Sequence, residues 1–190
     1  MGRKRDPERP RAPLTRDLLA DHAAWYLERW WPSARRLEQV LVRKADRHAI
    51  GPEDRAQGRA WAAELVAERV ARGSLDDSRF AQAWVDELHR KGLSRRAMLA
   101  KLRDKGVAHD VAATAVEDMD ETVGPEAERI RAVAYARRRR LGPMRSDPHQ
   151  RSERRQRDLG AMARAGFAFG IAREVIDAED LDTLLDRWGG

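Results

Sequence analysis

The chain has 190 residues, 37% of them charged and only 6% aromatic, with a formal net charge of +6. Its pI is about 10.2 and its mean hydropathy −0.76. The absence of cysteine excludes disulfides, thiolate catalysis and cysteine-held metals. No apolar run is long enough to span a bilayer. The basic balance suits an anionic partner, either nucleic acid or a membrane surface, and equally suits a merely soluble basic protein.

The chain opens as MGRKRDPERPRAP. No apolar stretch follows, so no signal peptide is expected and the cytoplasm is the simplest location. Residues 1–14 read as a disordered basic tail, since burial cannot offset the entropy of ordering them. Thr15 can cap a first helix carrying Leu18, Leu19, His22, Trp25, Tyr26 and Arg29, halted by Pro32. Ser33 starts a second, with Leu37, Leu41 and Ala45 on one face. After Gly51-Pro52 a long third helix carries Ala60, Trp61, Leu65, Val66 and Val70 and ends at Gly73.

Asp77 is placed to cap a fourth helix with Phe80, Trp84, Val85 and Leu88, ended by Gly92. Ser94 starts a fifth with Met98, Leu99 and Leu102, closed by Gly106, and Asp110 a sixth with Val111, Ala115 and Val116. Pro125 precedes a helix with Ile130, Val133 and Ala134. The pattern lapses from Gly142 to about Ser152 and resumes with Leu159, Met162 and Ala163 up to Gly166. A helix from Gly170 through Ile171, Val175 and Ile176 follows, then an acidic piece with Leu181, Leu184, Leu185 and Trp188. No alternation of β-branched or aromatic residues marks a strand.

The strongest internal signal is self-similarity. GVAHDVAATAV (106–116) aligns with GFAFGIAREVI (166–176), and upstream Leu99 aligns with Leu159 and Leu102 with Met162. A weaker match runs backwards: Ser33, Arg35, Leu37, Leu41 and Lys44 align with Ser94, Arg96, Met98, Leu102 and Lys105. There Ala45 stands in the place of a turn glycine, which makes the first turn atypical. The expected architecture is all-α: three tandem three-helix repeats at 15–75, 76–122 and 123–178, forming an elongated, curved helical array. An acidic C-terminal extension covers 179–190.

Several segments carry a family resemblance. GSLDDSRFAQAWV (73–85), KGLSRRAMLAKLRDKGV (91–107), AYARRRRLGPMR (134–145) and RDLGAMARAGFAFGIAREVI (157–176) resemble, in order and spacing, the RecX family of bacterial recombination regulators. The resemblance covers about residues 15–178. It implies a non-enzymatic protein without cofactor or metal. It also implies binding to the RecA filament on single-stranded DNA, limiting its recombinase, ATPase and SOS coprotease activities. Direct DNA contact and a monomeric state fit that picture, and a membrane partner does not. The alternative is a helix-turn-helix transcription regulator, against which Leu102 and Met162 occupy sites where tight helix crossing wants a small residue.

The charges agree in kind. Ten arginines and two acids lie between Arg131 and Arg157, whereas Asp110 to Glu128 holds seven acids and no Lys or Arg. Such segregation favours distinct basic and acidic surfaces. Planar guanidinium groups match phosphate oxygens. The candidate contacts are Arg35, Arg36, Arg43 and Lys44 on the second helix, and Arg95, Arg96, Lys101, Arg103 and Lys105 on the fifth. Arg137, Arg138, Arg139, Arg140 and Arg145 complete the set. A solvated helix face accounts for any one of them equally well. Trp25, Trp61 and Trp84 are expected in the core, whereas Trp30 and Trp31 are adjacent and cannot both point inward. The five histidines have no metal-ligand spacing, and no Walker A sequence is present.

Overall fold

Ser and Thr at three of the expected helix starts act as caps. Thr15 accepts from Leu18 N at 3.1 Å, Ser33 from Arg36 N at 3.3 Å and Ser94 from Ala97 N at 3.2 Å, each satisfying an orphan amide of a first turn. The computed structural model describes residues 12–147 and 149–188. Among the described residues there are ten α-helices, one 3-10 turn and no strand. The expected basic tail lies outside the described residues up to residue 11. The chain divides into two units, one through Asp76 and one from Asp77 onward.

The first unit holds α1 (Arg16–Leu27), α2 (Ala34–His48) and α3 (Pro52–Ala71). Leu19, Ala23, Leu37, Leu41, Ala45, Ala62, Leu65 and Leu75 form its core. The expected stripe on α3 is only half right. Leu65 and Val66 are buried, but Ala60 and Val70 face solvent, and Gly58 and Ala62 point inward instead. The reason is a close crossing: a Cβ on Gly58 would lie 2.7 Å from Ala45 Cβ. The second helix runs straight through Ala45, so the small residue that the contact needs comes from α3. Arg16 pairs with Glu68, tying α1 to α3.

The second unit contains two cores in succession. The first is built by α4 (Asp77–Arg90), α5 (Arg95–Asp104) and α6 (His109–Val123) around Phe80, Val85, Met98, Leu102, Val107 and Val116. The other is built by α7 (Ala127–Arg139), the 3-10 turn Gly142–Met144, α8 (His149–Ala165), α9 (Phe169–Asp177) and α10 (Leu181–Arg187). It gathers Ala132, Val133, Met162, Phe167, Val175 and Ile176. The segment expected as an extension beyond the third repeat contributes Leu181 and Leu184 to this core. Helix starts differ by small amounts. Asp77 lies inside the first turn of α4, α6 starts at His109 rather than Asp110, and α8 begins at His149 rather than near Ser152.

The aligned residues play the same parts. Ser33 and Ser94 are both buried caps, Leu37 and Met98 are both buried, and Leu41, Leu102 and Met162 are all buried. The turns at Gly106 and Gly166 repeat bond for bond. Val107 N donates to Leu102 O at 3.0 Å and Gly106 N to Arg103 O at 2.8 Å. Phe167 N donates to Met162 O at 3.2 Å and Gly166 N to Ala163 O at 3.0 Å. This is the Schellman ending, in which the glycine takes a left-handed φ, here +87° and +100°. Val107 and Phe167 then fold back into their own cores. The chain is thus an all-helical array of three-helix repeats.

Within the second unit the two cores are joined by polar contacts. Arg131, 1% exposed, pairs with Asp120 of α6 and with Glu128 of its own helix. Arg95 holds Asp120 at 3.0 Å and Glu117 at 2.8 Å, and its amide donates to Glu128. Ser94 Oγ donates to Ala165 O at 2.6 Å.

Candidate nucleic-acid interface

The arginine-rich stretch from Arg131 to Arg157 separates into structural and surface groups. Arg131 is the buried hub described above. Arg145 is also turned inward. Its Nε donates to Asp158 Oδ2 at 2.8 Å, and the same oxygen accepts from Gly142 N at 3.0 Å. Burial alone would push the Asp158 carboxyl up, but Arg145 and the Gly142 amide outweigh it and hold the carboxyl below its ordinary value. Arg145 therefore staples the 3-10 turn to α8. Arg155 makes a bidentate pair with Asp177, both contacts at 2.7 Å, and Arg137 pairs with Asp182 of α10.

Arg151, which donates to Ala178 O, Arg154 and Arg157 lie on α8 without an ion pair among the described residues, and the densest remaining group is the end of α7. Arg138, Arg139 and Arg140 are exposed, and among the described residues none has an ion-pair partner. Arg138 lies 5.8 Å from the Tyr135 ring centre. Arg140 occupies a particular place. The end of α7 repeats the Schellman bonds, with Leu141 N donating to Ala136 O at 3.0 Å and Arg140 N to Arg137 O at 3.2 Å. Arg140 thus stands where the other such turns have glycine, and it is the one non-glycine residue with positive φ among the described residues, at +52°. A side chain there costs about 1–2 kcal/mol of backbone strain.

Helix α5 divides in the same way. Arg95 is consumed by Glu117 and Asp120. Arg96 is exposed and donates to Ala163 O at 3.2 Å. Lys101 and Arg103 are exposed, Arg103 beside Asp104 at 3.5 Å. The Lys105 ammonium sits 3.3 Å from the Trp84 ring centre, and burial first, then neighbouring lysines, hold its pKa below the ordinary lysine value against the pull of Glu87. On α2, Arg35, Arg36 and Arg43 are exposed and Lys44 is half-buried.

The segregation of charge along the chain does not become a segregation in space. Four of the seven acids between Asp110 and Glu128 accept from arginines: Glu117 and Asp120 from Arg95, Glu126 from Arg129, Glu128 from Arg131. Arg131 was legible as a core position, because it follows buried Ala127 by one helical turn. The tryptophans also differ from expectation. Trp61 and Trp84 are half-buried against their cores, but Trp25 is 45% exposed, and Trp30 and Trp31 are both exposed. The buried face of α1 runs through Leu19 and Ala23, which turns Trp25 outward. Among the described residues no group of three or more His, Asp or Glu could hold a metal ion, and no helix is long and apolar enough to cross a membrane.

The family model for the second three-helix domain of RecX matches residues 76–116, the span of α4, α5 and most of α6. The regulatory protein RecX of Myxococcus xanthus is 42% identical over 178 residues, covering 93% of this chain and 92% of that protein. The chain belongs to the RecX family. RecX of Agrobacterium fabrum is 31% identical and covers 84% of each chain, and RecX of Thermobifida fusca is 38% identical over 125 residues. No solved structure matches. The RecX domain boundary at residue 76 coincides with the start of the second unit at Asp77. The chain is therefore a RecX-family regulatory protein.

Proposed function

We propose that this protein limits the RecA recombinase by binding the RecA filament on single-stranded DNA, lowering its strand exchange, ATP hydrolysis and coprotease activity. It does so as a cytoplasmic monomer without chemistry of its own. The repeats at 15–75, 76–122 and 123–178 act as successive modules presenting cations to a polyanion. The carrying observation is Arg140, kept in a left-handed conformation where the equivalent turns use glycine. Strain retained at an exposed position points to a use for the side chain. Arg138 and Arg139 beside it, with Arg35, Arg36, Arg43, Lys44, Arg96, Lys101 and Arg103, make up the proposed contact set. Arg95, Arg131 and Arg145 support it from inside.

The test is DNA-dependent ATP hydrolysis by RecA with the protein titrated in, alongside co-sedimentation with RecA filaments. Hydrolysis should fall and the protein should pellet with the filament, the latter losing strength steeply with added salt as phosphate contacts release counterions. Unchanged hydrolysis and no co-sedimentation would refute the reading. A helix-turn-helix repressor would instead discriminate one duplex sequence strongly from random DNA.

A further inference from the structure

We propose that the cavity beside Arg140 receives one unpaired guanine base of a bound strand, read by Asp147 and Gln150. This rests on the strand-binding role given above to Arg138, Arg139 and Arg140, and it names what lies next to them. A cavity of about 230 Å³ opens where α7, the 3-10 turn and the start of α8 meet, lined by Arg140, Met144, Arg145, Ser146, Asp147 and Gln150. That is below the roughly 300–1,000 Å³ of sites for drug-sized molecules and suits a single flat ring system. The turn after α4 has no such space, because a Cβ on Gly92 would strike the backbone of α7. At Arg140 a side chain is instead kept in left-handed backbone, φ +52°, at the edge of an open cavity.

Charge decides which part of a nucleotide enters. Arg145 lines the cavity, but its cation is spent on Asp158. Arg140 and Asp147 then offset each other. The cavity therefore suits a neutral group and not a phosphate, which the Asp147 carboxylate would repel. The phosphates belong outside, on Arg138 and Arg139. The walls fit a flat group that forms hydrogen bonds. Met144, half-buried against the Phe167 core, offers an apolar, polarisable thioether. Asp147 is fixed in place: Oδ1 accepts from His149 N at 2.9 Å and Oδ2 from Gln150 Nε2 at 3.1 Å. A carboxylate has about four acceptor sites, so both oxygens keep room for a ligand donor. The Gln150 amide keeps its second hydrogen.

Two acceptor oxygens beside a donor amide complement one base edge in particular. Guanine carries two donors, N1–H and the N2 amino group, next to its O6 acceptor. Adenine and cytosine set one amino donor beside a ring-nitrogen acceptor, and thymine has a single N–H between two carbonyls. A duplex buries this edge in pairing, so the cavity selects unpaired strands. A lysine side chain of a protein partner would also answer Asp147, but Arg140 at the rim opposes it; that is the competing outcome.

The test uses the full chain, without RecA, and three fluorescent 20-mers: deoxythymidine throughout, the same strand with two central deoxyguanosines, and the same strand with two central deoxyinosines. The guanine strand should bind about tenfold tighter than the thymine strand. Inosine lacks the N2 amino group and should lose about fivefold of that gain. Asp147→Ser keeps an oxygen for the His149 amide and should bring the guanine strand to the level of the thymine strand. Gln150→Met leaves the bond between Asp147 and His149 N in place and should cut the preference about threefold. Equal binding of guanine and thymine strands by the native chain, no measurable binding of either, or an undiminished preference in both variants overturns the proposal. Binding of labelled hexalysine that Asp147→Ser abolishes would assign the cavity to a cationic partner and also overturn it. Co-sedimentation with RecA filaments, measured in parallel, separates the two readings. Pelleting without a guanine preference sinks this inference alone, and a guanine preference without pelleting sinks the RecA reading alone.

Discussion

Gly92 and Gly73 provide a controlled comparison for how closely the second and third repeats are fitted. Both end a helix at nearly the same backbone angle, φ +66° and +69°. A Cβ on Gly73 would meet nothing within 4 Å, whereas one on Gly92 would lie 2.5 Å from Tyr135 N, 2.8 Å from Arg131 O and 2.9 Å from Ala134 C. All three are backbone atoms of α7, so no side chain can swing aside. Restoring ordinary contact requires α7 to retreat by roughly 1 Å. Gly73→Ala should therefore cost only the left-handed backbone term, about 1–2 kcal/mol. Gly92→Ala should cost that plus an overpacking term of about 1–3 kcal/mol. Hydrogen exchange followed by mass spectrometry reads the two separately, in α3 for the first and in α4 and α7 for the second. Faster exchange in α7 is expected in the Gly92 variant alone, because α7 carries Arg131 and its pairs with Asp120 and Glu128. If Gly92→Ala proves no more harmful than Gly73→Ala, the close approach of the two repeats is wrong.

Three further outcomes follow from the charges. Arg131→Ala should destabilise the second unit by about 3 kcal/mol, because it leaves Glu128 without its cation and Asp120 with Arg95 alone, and urea unfolding measures it; a loss under 1 kcal/mol would make the network incidental. Asp158 is held below its ordinary value of 3.8 in the folded chain, so its contribution is complete above that pH and is lost as pH falls below 3.8 through the folded value. The stability gap between the native chain and Asp158→Asn should accordingly close on acidification, and a gap that stays constant below pH 3.8 would remove Asp158 as its source. Arg140→Gly should raise thermal stability by about 0.5–1 kcal/mol through relief of the left-handed backbone while weakening filament binding; a variant that binds as well as the native chain would show the strain has no use there.

Helix content, most boundaries and the repeat were legible because they rest on local signals. Caps at Thr15, Ser33 and Ser94 and turn glycines at 106 and 166 act within a few residues of themselves. The face of a helix was less legible where its neighbour decided it. Gly58 replaces Ala60 on the buried side of α3 because α2 presents Ala45 there. Trp25 turns outward because Leu19 and Ala23 already fill the inner face of α1. The candidate interface was legible as composition only. Which arginines are spent inside the fold depends on carboxylates far along the chain, as with Arg145 and Asp158 or Arg137 and Asp182. Arg138, Arg139 and Arg140 remain on the surface because α7 ends there and Asp182, the carboxylate beside its last turn, pairs with Arg137.

The proposed function requires this RecX-family chain to reach its target through cations kept out of internal pairs. Filament co-sedimentation of the native chain against a variant with Arg138, Arg139 and Arg140 all changed to Ala tests it most directly. At moderate salt the native chain should pellet with RecA-coated single strands, and the variant, equally folded by circular dichroism, should bind at least tenfold more weakly. Equal binding by the two proteins across a salt series would contradict it.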